Sequence, residues 1–161
     1  MSQQEINDNF NLERKKHFDF YLPFYQEKNW QVIEDNINSA HKNPWDVKLE
    51  VFGGQYVLVD EKVRTIDYGD CLVEMIQDIK TGTLGWYFGS KDWVLYGSWD
   101  NLESVYPKSL YLIKMAELEN YINGISGRVE TRISKKGWGN TWNIVLNWND
   151  LIKNNIAERL I

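Results

Sequence analysis

The feature that most constrains the fold of this chain is a pair of alternating runs separated by two glycines. Residues 45–52 and residues 56–63 alternate between apolar and polar side chains, as half-buried β-strands do. Gly53-Gly54 stands between them, and a short glycine turn between two such runs predicts an antiparallel β-hairpin. The hairpin is therefore placed at the core of the predicted sheet.

The segments around the hairpin predict helices before and after a run of strands. Helical packing is expected from Leu12 to about Tyr25, after a flexible polar lead-in at residues 1–11. Pro23 would either break a single helix there or lie in the first turn of a second one. Short strands or apolar segments are expected at residues 30–33, 71–76, 93–96, 111–113, 129–133 and 141–147, and helices at residues 115–122 and 149–160, the last capped by Asn149 or Asp150. This order predicts an α/β (α+β) fold for residues 12–161: a single domain with a central mixed β-sheet, an antiparallel hairpin core and flanking helices.

The composition is that of a globular domain. A chain of 161 residues that is 43% hydrophobic and 25% charged suits one folded domain and excludes a disordered or fibrous chain. The single cysteine, Cys71, excludes an internal disulfide framework and suits a reducing compartment. No apolar run approaches the ~18 residues of a membrane span, and the polar, acidic start differs from a secretory signal. We therefore expect a cytoplasmic protein.

The charge balance limits the partners that the chain can bind by itself. The chain has 18 Lys and Arg against 23 Asp and Glu, a net charge of −5, whereas non-specific nucleic-acid binders usually carry an excess of basic residues. Its basic clusters, at residues 14–17 and 128–136, are read first as solvated surface. A nucleic-acid function would therefore need a local basic patch or a metal ion.

Several kinds of catalytic site are excluded by residue type and spacing. One cysteine and two separate histidines, His17 and His41, cannot build a zinc site. Cys71 lies at the start of an apolar strand, which favours a buried structural cysteine over a nucleophile. The glycine pairs lack the Gly-Lys-Ser/Thr ending of a phosphate-binding loop.

Acidic residues and a lysine on the hairpin are the candidate for chemistry. Asp46 lies near the start of the first strand, and Asp60-Glu61-Lys62 lies on the second, with Asp60 and Lys62 on the same face. A strict two-residue turn would put Asp46 opposite Glu61, whereas a three-residue loop would put it opposite Asp60 or Lys62. The sequence leaves this register open.

Such a group suits Mg²⁺ (or Mn²⁺) chemistry on a phosphodiester. Mg²⁺ prefers one or two carboxylates together with waters and substrate phosphate oxygens. A bound ion would activate water and neutralise charge at the scissile phosphate, and Lys62 would position the water or stabilise the phosphoryl oxygens. The backbone carbonyl of Glu61 would complete the metal shell.

These residues resemble the bipartite signature of the PD-(D/E)XK nuclease-like superfamily. The resemblance rests on Pro44-Trp45-Asp46, followed fourteen residues later by Asp60-Glu61-Lys62 on a hairpin after an N-terminal helix. The downstream segments at residues 59–64, 68–74, 85–86, 91–96 and 140–142 also look similar to small phage and bacterial members.

The resemblance implies a restriction-endonuclease-like fold and assigns site residues. Asp46, Asp60 and Glu61 would bind the metal, Lys62 would be the catalytic lysine and Glu74 an accessory acid; Glu27 is the candidate acid from the first helix. An alternative core pairs Asp60 with Glu74, but Ile76 then occupies the lysine position, which would imply an inactive or rearranged site. Many superfamily members are non-catalytic scaffolds, so the fold does not settle activity.

Substrate contacts are expected from one arginine and two tryptophans. Arg64 would contact a phosphate. Most of the eight tryptophans are expected to be in the core or half-buried. Trp138 and Trp142, flanked by glycine and asparagine, are the candidates for stacking on substrate.

The sequence thus supports two functions of different classes. The first is a Mg²⁺-dependent nuclease that hydrolyses DNA phosphodiester bonds, with a homodimer as a plausible state because two-strand cleavage often uses paired sites. The alternative is a non-catalytic protein-binding module of the immunity or anti-defence type, whose acidic, aromatic-rich surface would cover a basic partner. Sugar binding by exposed tryptophans has only the aromatic content in its favour.

Overall fold

A computed structural model describes residues 3–39, 43–125, 129–136 and 139–161. The helices are α1 (Gln3–Lys16), a π-helical turn (His17–Tyr21), α2 (Leu22–Glu27), α3 (Met115–Gly124) and α4 (Trp148–Lys153). The strands are β1 (Gln31–Asp35), β2 (Val47–Val51), β3 (Gln55–Arg64), β4 (Asp70–Asp78), β5 (Thr83–Leu84), β6 (Trp93–Ser98), β7 (Ser109–Lys114), β8 (Glu130–Lys136), β9 (Gly139–Asn147) and β10 (Ala157–Arg159).

Six strands form a mixed sheet, here called the large sheet, in the order β1-β2-β3-β6-β7-β10. The β3–β6 pair is parallel, and the other neighbours are antiparallel. The predicted mixed α/β fold with a hairpin at its core is therefore confirmed.

The hairpin register follows from a three-residue loop. Val51 pairs with Gln55, and Phe52-Gly53-Gly54 connects them. Gly53 and Gly54 have φ angles of 66° and 77°, a left-handed conformation that glycine adopts without the steric cost of a Cβ. This is the register that the sequence left open, and it decides where Asp46 lies.

The strand that follows the hairpin joins a second sheet instead of extending the first. Strands β5, β4, β9 and β8 form an antiparallel four-stranded sheet, here called the small sheet. The sequence predicted one central sheet, because alternation shows that a strand has a buried face but does not say which sheet it joins.

The central strands of the large sheet are buried on both faces. On one face, Leu95 packs with the aromatic residues of the π-helical turn and α2. On the other face, Val94 and Tyr96 pack with the small sheet, α3 and α4. Successive residues of β6 thus enter two different cores, as the two-residue period of a strand requires.

Both ends of the chain differ from the sequence prediction. The first helix begins at Gln3 rather than Leu12, and the last ends at Lys153 rather than continuing to residue 160. Asn147, not Asn149 or Asp150, is the N-cap of α4, since its side chain accepts the Asn149 N–H.

The predicted final helix is replaced at its end by strand β10. Asn155 turns the chain with a φ of 62°, and β10 then pairs with β7. Burial of Ile156 and Ala157 in the core outweighs the helical pattern.

Among the described residues, no helix is both long enough and apolar enough to cross a lipid bilayer.

We expect Gly85→Ala to destabilise the fold, because an added Cβ would lie 2.2 Å from the carbonyl oxygen of Glu74. The backbone there cannot yield easily, since the Gly85 N–H donates to the Met75 carbonyl at 2.9 Å. The free energy of unfolding should fall by about 1–3 kcal/mol or more in urea denaturation. Gly124→Ala is the matched control, because nothing lies within 4 Å of its added Cβ. Equal stability of the two variants would contradict this packing.

Candidate functional site

Two hydrogen bonds hold Asp46 beside Asp60, at the end of the hairpin away from its loop. Asp46 directly precedes β2, and its N–H donates to the Val59 carbonyl at 2.8 Å. Its Oδ2 accepts the N–H of Glu61 at 2.7 Å. Because these two bonds hold Asp46 to the residues on either side of Asp60, Asp46 lies beside Asp60, close enough for the two carboxyl groups to interact.

Asp60 is bound by two lysines. Its Oδ1 lies 3.0 Å from Lys62 Nζ, and its Oδ2 lies 3.4 Å from Lys91 Nζ. The first contact was expected, since residues two apart on a strand share a face. Asp60 itself is buried, so its negative charge is balanced by lysines rather than by bulk water.

The environment of Asp46 favours its neutral form. Burial, followed by the charges of Asp60 and Glu61, raises the pKa of Asp46 to about 8, against weaker opposing effects of Lys62 and the Glu61 N–H. An added cation would stabilise the ionised form of a carboxyl group whose pKa is raised by neighbouring carboxylates.

Lys91 is a site residue that sequence reasoning missed. Its side chain is only 1% exposed, and its Nζ also donates to the carbonyls of Pro44 and Phe88, both at 3.2 Å. Burial lowers its pKa, against the attraction of Asp60. Lys91 reaches Asp60 because β6 lies parallel to β3, with Val94 beside Asp60. No local pattern in the sequence reveals this pairing.

A helix acid also acts on this group, but it is not the one expected. Burial lowers the pKa of Lys62, yet the charges of Asp60, Asp46 and Glu13 outweigh it and raise that pKa above its usual value. Glu13 lies on α1, whereas the expected Glu27 is an exposed residue at the end of α2.

The side chain of Glu61 faces the opposite side of the sheet. Its Oε2 contacts His17 Nδ1 at 2.7 Å, and its Oε1 accepts the Tyr25 hydroxyl proton at 2.6 Å. The carboxylate is therefore already bound by residues of the π-helical turn and α2, here called the helix layer. Any contribution of residue 61 to a metal would come from its backbone carbonyl, the atom expected from the sequence.

His17 joins two carboxylates in the interior. Its Nε2 lies 2.9 Å from Asp35 Oδ2, so both ring nitrogens contact carboxylate oxygens, and both contacts form as hydrogen bonds only when both nitrogens carry protons. Burial lowers the pKa of His17, but Glu61 and Asp35 outweigh it and raise the pKa to about 9.

The other expected site residues lie elsewhere. Glu74 is on β4 of the small sheet. Because side chains alternate along a strand, Glu74 points to the face of β4 opposite to the one on which its neighbour Val73 enters the core. Arg64 donates to the Leu72 carbonyl at 3.1 Å and lies over the Tyr96 ring, so it connects the two sheets.

The structure does not describe the expected pair of stacking tryptophans as a pair. Trp142 is half-buried on β9, and Trp138 lies outside the described residues. The other described tryptophans are also buried or half-buried, in agreement with the expectation: Trp30, Trp86, Trp99 and Trp148 are buried, and Trp45 and Trp93 are half-buried.

The donor set suits Mg²⁺ with water more than a metal cage made by protein alone. Within the described residues, no group of three His, Cys, Asp or Glu side chains is placed to hold an ion. Asp46 and Asp60 are two carboxylates, the number that Mg²⁺ commonly takes from protein while waters and phosphate oxygens fill its other positions.

Comparisons with known proteins do not assign a family. No protein-family model matches the chain, and no curated protein or solved structure is significantly similar to it.

We expect Asp46→Asn to be more stable than wild type at pH 8, with a difference that shrinks toward pH 4. Folded Asp46 keeps its proton to about pH 8, whereas the ordinary value is 3.8, so the folded state binds more protons between these limits. The free energy of unfolding of wild type therefore falls as the pH rises through this window. Urea denaturation at several pH values measures the difference.

Two comparisons control this pH experiment. His17, with a pKa of about 9 against an ordinary 6.5, costs stability as the pH rises from 6.5 to 9, but it does so in both proteins and cancels. Asp100→Asn, at a side chain 55% exposed, is the matched surface control. Parallel pH profiles of wild type and Asp46→Asn would contradict the burial of this carboxyl.

Proposed function

We propose that this protein is a nuclease that uses Mg²⁺ or Mn²⁺ to hydrolyse DNA phosphodiester bonds. The observation that carries this proposal is that hydrogen bonds hold Asp46 beside Asp60, whose Oδ1 lies 3.0 Å from Lys62 Nζ. Paired carboxylates and a lysine on one sheet face are what metal-assisted phosphodiester hydrolysis needs.

Asp46 and Asp60 are the residues that would hold the metal, and the Glu61 carbonyl would be a further ligand. A bound divalent ion supplies an activated water and neutralises charge on the phosphate. Loss of the Asp46 proton on binding would make both carboxylates available, so affinity should rise with pH through the region of its pKa, about 8.

The two lysines differ in what they can do. The Lys62 side chain is 24% exposed, so of the two lysines beside Asp60 it is the more accessible to a substrate phosphate. Lys91 is almost fully buried and bonded to two backbone carbonyls, which suits holding Asp60 and the Pro44 segment in place. We therefore propose that Lys62 is the lysine that positions the attacking water or stabilises the phosphoryl oxygens.

The metal and the lysines would also offset the repulsion between this acidic chain and DNA. A net charge of −5 repels DNA, but Lys62, Lys91 and a divalent ion concentrate positive charge where the phosphate would lie. We place this activity in the cytoplasm, where Cys71, a buried free thiol, stays reduced. A homodimer would supply two such sites for cutting both strands.

We expect Lys62→Met to lower Mg²⁺-dependent nicking of supercoiled DNA by roughly 10²–10³-fold, as the loss of one group that stabilises a transition state typically does. Calorimetric titration should show that Lys62→Met still binds Mn²⁺, whereas Asp60→Asn loses both binding and nicking. Lys108→Met, at a lysine side chain 57% exposed, is the matched control and should nick like wild type.

Two results would contradict the nuclease proposal. One is wild-type protein that neither binds Mn²⁺ nor nicks DNA. The other is wild-type activity in both Asp60→Asn and Lys62→Met.

The protein-binding alternative is favoured by exposed aromatic residues at the hairpin tip. Phe52 is 77% exposed and Tyr56 is 55% exposed, and such aromatic residues are common anchors at protein interfaces. Metal-independent, salt-sensitive binding to a basic protein, lost in Phe52→Ala and kept in Asp60→Asn, would support this function instead.

A further inference from the structure

The helix layer contacts β3 at Glu61, the residue between Asp60 and Lys62. His17, Tyr21 and Tyr25 are all 0% exposed and recur every four residues along the π-helical turn and α2. A π-helical turn contains one more residue than an α-helical turn, and such turns are frequent at functional sites. Here it lies directly behind the strand that carries the proposed catalytic residues.

Each of these side chains contacts a different atom of the strand. His17 and Tyr25 bind the two oxygens of the Glu61 carboxylate, at 2.7 and 2.6 Å. The Tyr21 hydroxyl donates to the Lys62 carbonyl at 2.8 Å. We call His17, Tyr21 and Tyr25 the helix clamp.

The helix clamp affects the opposite face of the sheet through the backbone of β3. Neighbouring residues of a strand point to opposite faces, so fixing the Glu61 side chain also fixes the directions of Asp60 and Lys62. The Glu61 N–H, held in the same position, donates to Asp46 Oδ2 at 2.7 Å. A shift of Glu61 would therefore move the hydrogen bond that orients Asp46.

The extent of burial argues for more than packing. The side chains of His17 and Glu61 are 0% and 3% exposed, and burying polar groups is costly unless their geometry is fully satisfied. An apolar pair would fill this space without that cost, but it would not fix the rotation of β3.

We propose that His17 and Tyr25 are positioning residues for the metal site formed by Asp46 and Asp60, and that they act through Glu61. This inference rests on the proposed function. It goes further by assigning the orientation of the site to residues that contact neither metal nor substrate. Groups that orient metal ligands typically change metal affinity by about 10–100-fold when mutated.

Two substitutions of His17 separate the contact with Glu61 from the contact with Asp35. The amide nitrogen of an asparagine lies as many bonds from Cα as Nδ1 does, so His17→Asn can keep a donor toward Glu61. The amide nitrogen of a glutamine matches Nε2, so His17→Gln can keep a donor toward Asp35 only. Tyr25→Phe removes the other donor to Glu61 and leaves the ring in place.

Lys16→Met is the matched control for general damage to the helix. Lys16 adjoins His17, is 1% exposed, and its Nζ donates to the carbonyls of Leu102 and Ser104 at 2.6 and 2.7 Å. The variant keeps most of the side-chain volume and destabilises the same helix, but it does not touch Glu61.

The experiment is calorimetric titration of Mn²⁺ into each folded variant at one pH, with urea denaturation to verify folding. We expect His17→Gln and Tyr25→Phe to weaken Mn²⁺ binding by about 10–100-fold. His17→Asn should bind more tightly than His17→Gln, and Lys16→Met should bind like wild type. The amide NMR signal of Glu61 should shift in Tyr25→Phe and not in Lys16→Met.

The possible failures are distinguishable. Wild-type protein that binds no Mn²⁺ overturns the proposed function and this inference together. Wild-type binding with unchanged affinity in His17→Gln and Tyr25→Phe overturns the inference alone. Equal weakening in Lys16→Met would assign the effect to helix stability and would also overturn it.

Discussion

The buried carboxylate of Glu61 is the group around which the hairpin and the helix layer are arranged. A carboxylate taken out of water must be met by hydrogen-bond donors, and here His17 and Tyr25 supply them from the helix layer. This requirement fixes where the π-helical turn and α2 lie on the sheet. It also fixes the rotation of β3, because Glu61 can face the helices only if Asp60 and Lys62 face the other way.

The two faces of β3 therefore have different tasks. The face toward the helices binds Glu61 in a closed set of polar contacts. The other face carries Asp60 and Lys62, where one lysine remains partly exposed. The backbone N–H of Glu61 joins the two faces by its bond to Asp46. The helices thus fix one side of the strand while the other side carries the candidate reactive groups, so positioning and chemistry need not come from the same residues.

The sequence predicts the local features of this fold and site well. The hairpin, most strands and the position of Lys62 beside Asp60 follow from short periodic patterns and from residues close together in the chain. The position of Asp46 relative to Asp60 depended on whether the hairpin loop has two or three residues. The Gly53-Gly54 pair is compatible with both lengths. Lys91 and Glu13 could not be found, because they reach the site through a parallel strand pair and through helix packing. The final helix failed as a prediction where burial of Ile156 and Ala157 outweighed local preference.

The path of the chain between β3 and β6 has a consequence for how the molecule unfolds. These two strands are neighbours in the large sheet, but the chain between them passes through β4 and β5 of the small sheet. The small sheet in turn shares its core with Val94 and Tyr96 of β6. Because they share this core, we expect the two sheets to be lost together in one cooperative transition. Asp60 lies beside Val94 at the start of β6, so its contact with Lys91 can form only after the chain has returned from the small sheet.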